Sequence, residues 1–341
     1  MEKTDIRRNS INTLRLIAAL QVFVGHAIPE MHVDLPVFIQ PFMKIINLFE
    51  GVPTFFIISG FLMWNSIKYT PNFKVYLKKR IFRIYPELWG GVLLNAVLMI
   101  VFYGSQIVWK DFVLFQFTQS TIFQFYTPES LKGYATGHPN GPLWTISVMV
   151  QCYVVLWFMY KFLHNKKLRY WILTMILTIS FCIVKPVLFE NIIPTTIYRL
   201  IWYTFANQIW LFLLGAILCE YLDEIIVSLK KYWWICFGLL AFVVYTKCDI
   251  NIGYGLFKSI FLSLTIVGIT YRFPKINIKY DFTYGIYIYH MIVINAMCFL
   301  GYIGKFKYMI IALFISVILA IISYFTFGKI SRSSRRVILK N

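Results

Sequence analysis

The sequence predicts an all-α integral membrane protein, a bundle of about ten transmembrane helices with both termini in the cytosol. Hydrophobic residues make up 59% of the 341 residues and charged residues only 14%, whereas a soluble domain is about half apolar and about a quarter charged. Apolar runs that reach the bilayer-crossing length of about 20 residues recur along the chain. Lysine and arginine cluster in alternate connecting segments, the pattern that sets orientation in a membrane.

The apolar runs place the helices along the chain. We predict spans near residues 11–28, 46–66, 86–104, 142–163, 170–188, 199–220, 232–247, 254–271, 282–303 and 308–328. Polar residues interrupt the aromatic segment 106–126, so we place it in the membrane interface, with a re-entrant segment as the alternative. We expect one membrane domain over residues 8–330, followed by a basic cytosolic tail at 331–341.

Charge and cysteine content exclude several classes of protein. The net charge of +19 does not indicate nucleic-acid binding, because the positive residues flank apolar spans. The six cysteines show neither CxxC nor Cys/His spacing, so neither a metal site nor a disulfide framework is predicted. The first apolar run contains an arginine and precedes no cleavage site, so we expect it to remain as a span. The oligomeric state is not predicted.

The first span carries Arg15 and His26 in an otherwise apolar helix. Eleven residues separate them, about three helical turns, and they share a face to within about 20°. Ionisable groups in a membrane usually point into a bundle interior or a water-filled cavity. The alternative is that Arg15 extends to the cytosolic headgroups while His26 lies at the outer end.

The segment after the second span carries Lys79, Arg80 and Arg83, and we expect Pro86 to open the third helix. Arg80 and Arg83 are three residues apart, so on a helical turn both guanidinium groups can reach one anion. The guanidinium fork suits phosphate because it donates two parallel hydrogen bonds. The alternative is a basic anchor for anionic lipid.

Further polar motifs lie in or beside other spans. In the second span, Ser59 precedes Gly60, a pair that permits close helix packing. An outer loop leads into Asn140, Thr145 and Ser147, whose side chains could bind sugar hydroxyls. Trp144 between them is predicted to be an interfacial aromatic residue.

The ninth span carries a polar stripe. Thr283, Tyr287 and His290 lie on one helical face, where polar groups need partners. A structural histidine is one interpretation of His290. Histidines in two different spans, His26 and His290, favour a shared cavity instead.

Taken together, these motifs resemble the membrane-bound acyltransferase family 3, which includes bacterial polysaccharide O-acetyltransferases. The resemblance covers roughly residues 8–330 and follows the family's motif order. The matching motifs are Leu14-Arg15 with His26, residues 55–61, Arg80-x-x-Arg83 with Pro86, residues 140–148 and residues 282–290.

The resemblance implies a multi-pass enzyme of a bacterial cytoplasmic membrane with no tightly bound cofactor. Acyl-CoA, usually acetyl-CoA, is the implied co-substrate on the cytosolic side, and a glycan is the implied acceptor. By position, His26 matches the family's essential histidine and Arg15 its basic partner. Arg80 and Arg83, with Lys79 beside them, match the pair thought to hold the donor's phosphates.

On this basis we expect His26 to act as general base on the acceptor hydroxyl, with a transient acyl-histidine as the alternative. The substrate or cavity-lining residues expected are Ser59, Asn140, Trp144, Ser147, Tyr284, Tyr287 and His290. Met149 stands where the family usually has an acidic residue, so that carboxylate's role is absent or filled by Gln151 or another group. The rival functions are a glycan-precursor transporter or flippase and an inactive acyl-CoA-binding member.

Overall fold

The computed structural model describes residues 9–189, 192–274, 276, 278, 280–330 and 332–333, and within these residues it is all-helical, with two isolated β-bridges but no strand. The α-helices are α1 (Ile11–Glu30), α2 (Gln40–Ile46), α3 (Gly51–Tyr69), α4 (Phe73–Tyr103), α5 (Trp109–Gln119), α6 (Trp144–Leu163), α7 (Leu168–Phe189), α8 (Thr195–Trp202), α9 (Ile209–Glu220), α10 (Leu222–Thr246), α11 (Leu256–Arg272), α12 (Thr283–Phe299) and α13 (Phe306–Phe325). Short 3₁₀ turns lie at 104–106, 129–131, 141–143 and 205–207.

The apolar helices support the predicted membrane class. In the described part of the chain, seven helical segments are long and apolar enough to cross a membrane, and two shorter apolar helices, α9 and α12, accompany them. The number of about ten spans and the orientation stay predictions. Both termini lie outside the described residues, as does the predicted tail at 331–341 apart from residues 332–333.

The predicted start of the third span was wrong. Instead of a loop that ends at Pro86, α4 runs unbroken from Phe73 to Tyr103 with Pro86 inside it. A proline within a helix removes one backbone hydrogen bond and costs about 3 kcal/mol. The turns on either side of Pro86 outweigh that cost, so Arg80 and Arg83 lie on a helix rather than in a loop.

The predicted span 199–220 is also not one helix, because side chains interrupt its backbone ladder. The Asn207 Nδ2 and the Thr204 hydroxyl both donate to the Ile201 carbonyl, at 2.6 and 2.7 Å. Such local side-chain bonds compete with the helix, and α8 and α9 are separate helices here. Similarly, the predicted start of the span 232–247 is a kink at Tyr232 inside the longer α10.

The chain divides into two compact units. The described residues of 1–18, 48–76 and 148–279 form the first unit, in which α3 packs against α9 and α10 against α11. The crossing of α3 and α9 is close because each helix presents a glycine. A Cβ at Gly60 would lie 2.0 Å from the Phe212 carbonyl oxygen, and a Cβ at Gly215 would lie 2.0 Å from the Ile57 oxygen. The close packing predicted at the Ser59–Gly60 pair is confirmed for Gly60.

We expect Gly60→Ala to lower the thermal unfolding temperature of the detergent-purified protein by several degrees. The added methyl group forces the two backbones apart, and overpacking of this kind costs about 1–3 kcal/mol. Gly238→Ala is the matched control, because no atom outside its own helix lies within 4 Å of the new Cβ. Equal unfolding temperatures for the two variants would contradict the close crossing.

The second unit comprises the described residues of 19–47, 77–147 and 280–341. Its core joins the later part of α1 to α12 and α13, with Phe23, Ile294 and Ala312 fully buried in one apolar cluster. Helix α12 packs on α13 where Gly285 meets Ala320. This unit contains His26, His290 and the arginines of α4.

Candidate active site

Two histidines of the second unit face each other. The rings of His26 on α1 and His290 on α12 have centroids 5.5 Å apart at an angle of 41°. His290 is fully buried and His26 is half-buried. The fold therefore brings together two residues that are far apart in the sequence, as the shared-cavity interpretation expects.

The hydrogen bond of His290 defines its tautomer. Its Nδ1 lies 2.7 Å from the Tyr287 carbonyl oxygen, which can only accept a hydrogen bond, so Nδ1 carries the proton. The Nε2 atom then carries no proton. It is buried and has no hydrogen-bonding partner among the described residues.

Tyr287 joins α12 to the beginning of α6. Its hydroxyl donates to the Pro142 carbonyl at 2.5 Å and lies 2.5 Å from the Thr145 hydroxyl. The polar residues predicted on this face of α12 are therefore partly bonded within the protein, so not all of them are available to a substrate. Tyr287 holds the turn at 141–143, and His290 lies one helical turn further along.

Asn295, which the sequence analysis missed, fastens the α5–α6 segment (residues 120–143) to α12. Its Oδ1 accepts from the Thr136 backbone N–H at 3.2 Å and from the Thr136 hydroxyl at 2.8 Å. Its Nδ2 donates to the carbonyls of His138 and Pro139, both at 3.1 Å. A lone amide in an apolar run was the only signal for it. His138, also missed, is exposed in this segment.

Asn140 follows directly after the residues that Asn295 bonds, and the two side-chain amides differ in their hydrogen bonding. It is 3% exposed, yet neither its Nδ2 nor its Oδ1 has a hydrogen-bonding partner among the described residues. Leaving a buried polar group unpaired costs about 1–3 kcal/mol. Such groups are rare in native proteins and usually have a reason.

The arginine pair lies near the first turn of α12. Arg80 is half-buried, Lys79 is 9% exposed, and Arg83 forms an ion pair with Asp281, with 3.3 Å between Nη2 and Oδ2. The Tyr284 hydroxyl donates to the Ile84 carbonyl at 2.9 Å. Tyr284 therefore fastens α12 to α4 beside the arginines.

Other residues that were expected to line a cavity have different positions. The Ser147 hydroxyl donates to the Ile122 carbonyl and is fully buried, so its proton is already engaged. Trp144 is the half-buried first residue of α6. Ser59 and Arg15 belong to the first unit; Arg15 is half-buried on α1.

Met149, at the position where an acidic residue is usual, accepts hydrogen bonds through its sulfur. The Ser59 hydroxyl lies 3.7 Å and the Tyr153 hydroxyl 3.6 Å from the Met149 Sδ. Gln151 does not replace the carboxylate there, because its amide bonds the backbone of Tyr203 and Phe205 at 3.1 Å each. The described residues contain no group of three or more His, Cys, Asp or Glu suited to a metal ion.

The chain is similar to known proteins over most of its length. Residues 8–327 match the model of the acyltransferase domain of acyltransferase family 3. Nodulation protein 10 of Rhizobium leguminosarum bv. viciae is 24% identical in an alignment 344 positions long, gaps included, which covers 95% of this chain and 93% of that protein. An O-acetyl transferase of Shigella phage Sf6 is 26% identical over 310 residues, covering 85% of this chain and 87% of that protein.

No solved structure gives a significant match to the chain. The family match covers nearly the whole sequence and includes both histidines, the arginine pair and the clamped α5–α6 segment. The chain therefore belongs to acyltransferase family 3 and is a membrane acyltransferase.

Proposed function

We propose that this protein is an O-acetyltransferase that moves an acetyl group from acetyl-CoA to a hydroxyl of a cell-surface or lipid-linked glycan at a bacterial cytoplasmic membrane. The observation that carries the proposal is the pairing of His26 with His290 in an acyltransferase domain. The relative named O-acetyl transferase supports the choice of acetyl group and of hydroxyl acceptor.

In this proposal His26 is the general base. It takes the proton of the acceptor hydroxyl as that oxygen attacks the thioester carbonyl of acetyl-CoA. The new C–O bond forms, the C–S bond breaks, and the sulfur leaves as the thiol after it receives the proton from His26. His26 suits this role because it is half-buried, so that an acceptor hydroxyl can reach its ring.

Arg80 and Arg83, with Lys79, bind the phosphates of the donor in this scheme. What supports this role is that Arg80 and Arg83 lie three residues apart on the helix α4, the spacing at which two side chains can reach one anion. Asp281 holds Arg83 through their ion pair. Arg15 is proposed to stabilise developing charge or to orient the donor, a role that rests on the family resemblance.

The test is transfer of radiolabelled acetyl from acetyl-CoA by the purified protein in detergent or nanodiscs. Membranes from a strain that lacks the gene supply unacetylated glycan. We expect label in the glycan that mild alkali releases as acetate, with one CoA formed per ester. Glycan movement across the nanodisc or vesicle membrane without labelling would instead identify a transporter, and acetyl-CoA binding without turnover would identify an inactive member.

A further inference from the structure

We propose that Asn140 binds the acceptor, with its Nδ2 donating to one hydroxyl and its Oδ1 accepting from the adjacent hydroxyl of a sugar ring. The inference rests on the proposed acetyl transfer. It assigns the acceptor side of the reaction to one side chain, whose two polar atoms match the donor and acceptor needed for a pair of neighbouring hydroxyls.

The backbone on both sides of Asn140 is held in place. Before it, Tyr134 is fully buried, with its ring 5.8 Å from that of Tyr103. Asn295 bonds the Pro139 carbonyl immediately before Asn140. After it, the Tyr287 hydroxyl bonds the Pro142 carbonyl. The side chain is therefore supported by a rigid frame rather than by a mobile loop tip.

This frame also sets where Asn140 lies along α12. The helix residues that bond the segment are Tyr287 and Asn295, and His290 lies between them in the sequence of that helix. Asn140 likewise lies between Pro139 and Pro142, whose carbonyls these two side chains bond. The amide is thus held beside the helix that carries His290, whose ring faces His26. In the proposed arrangement, a sugar bound by Asn140 lies on the side of α12 that this segment covers, and one of its hydroxyls is the group that His26 deprotonates.

The two buried asparagines Asn140 and Asn295 differ in the hydrogen bonds of their side chains. Asn295 has both amide atoms engaged, whereas both polar atoms of Asn140 are unpartnered among the described residues and the side chain is 3% exposed. Burying such an amide lowers stability unless a ligand pairs with it. Binding sites commonly retain residues that stability alone does not favour.

The experiment compares Asn140→Leu with Asn295→Leu, two changes of similar shape that remove the same amide. For Asn140→Leu we expect an unfolding temperature equal to or above that of the unmodified protein, because an unpaired polar group is removed. For Asn295→Leu we expect a lower unfolding temperature, because four backbone and hydroxyl partners lose their bonds.

Kinetics use labelled acetyl-CoA as donor and titrated membranes of the gene-deletion strain as acceptor. We expect Asn140→Leu to raise the apparent KM for acceptor at least about tenfold and to leave the KM for acetyl-CoA unchanged, since only the acceptor contact is lost. Asn140→Ser keeps a small hydrogen-bond donor and acceptor. Its KM for acceptor is expected to lie between those of the unmodified protein and of Asn140→Leu.

Three results would overturn the inference. The first is an unchanged acceptor KM in an active Asn140→Leu variant. The second is a lower kcat with an unchanged acceptor KM, which would place the amide on the acyl carbonyl. The third is a loss of stability as large as that of Asn295→Leu. Absence of transfer by the unmodified protein is a separate result, which overturns the proposed function and this inference with it.

Discussion

Replacement of His26 by alanine is expected to lower the rate of acetyl transfer by about 100- to 10,000-fold, the usual contribution of a positioned general base. The variant should bind acetyl-CoA with nearly unchanged affinity, because the phosphates are assigned to α4 and not to α1. The measurement is kcat with saturating donor and acceptor, together with donor affinity by equilibrium binding. A fall in kcat alone is the signature of a group that acts only in the transition state.

The matched control is His32→Asn. His32 is exposed just beyond the end of α1 and has a positive φ of 50°, a conformation that asparagine tolerates. The His32→Asn variant removes one imidazole from the same part of the chain and leaves His26 and His290 intact. Transfer at the normal rate by His26→Ala would refute the assignment, whatever the control shows.

An exchange experiment separates the two roles open to His26. If His26 is an acyl carrier, the protein exchanges labelled CoA into acetyl-CoA without any acceptor, because the first half-reaction is reversible. If His26 is a general base, exchange requires the acceptor. We expect no exchange in the absence of acceptor, and rapid exchange would favour the acyl-histidine.

The second large effect is expected for the double variant Arg80→Ala, Arg83→Ala, which should raise the KM for acetyl-CoA by roughly 10- to 100-fold. Hydrogen bonds to charged groups contribute about 1.5–3 kcal/mol each, and a partly exposed site retains only part of this against solvent. Arg83 is already oriented by its ion pair with Asp281. Raised ionic strength should weaken donor binding in the same direction.

Acetyl-pantetheine, which has no nucleotide phosphates, tests whether the arginines act on phosphate. The unmodified protein should prefer acetyl-CoA strongly, and the double variant should lose most of that preference while its rate with acetyl-pantetheine stays the same. Lys74→Ala with Lys78→Ala is the control, because both lysines are exposed on α4 outside the pair. If the preference for acetyl-CoA persisted in the double variant, the cluster would be a lipid anchor and not a donor site.

Much of the candidate site could be anticipated from local patterns. The spacing of Tyr287 and His290 places them one turn apart on any helix, and the structure uses that spacing for the hydrogen bond from Nδ1 of His290 to the Tyr287 carbonyl. The spacing of Arg80 and Arg83 likewise holds, although their helix begins at Phe73 and not at Pro86. Pro86 by itself predicts the beginning of a helix, but the residues before it are helical as well.

Long-range contacts could not be predicted from the sequence. Asn295 and Thr136 are 159 residues apart, so nothing near either residue indicates that one bonds the other. Ser147 was expected to meet a substrate, but its hydroxyl bonds the Ile122 carbonyl. The break between α8 and α9 depends on which carbonyl the Asn207 side chain reaches, and spacing alone does not reveal it.

By itself, then, the sequence determined that this is an apolar helical chain of a membrane acyltransferase family, with His26, His290 and an arginine pair as the groups that carry charge or basicity. Composition is a property of the whole sequence, and helical periodicity relates residues within one or two turns. Both can therefore be recognised from the sequence alone. Only the tertiary structure decided which polar groups are engaged and which are left unpaired. It engages Asn295 and leaves the side chain of Asn140 without a partner among the described residues, because hydrogen bonding depends on positions in space that distant parts of the chain supply.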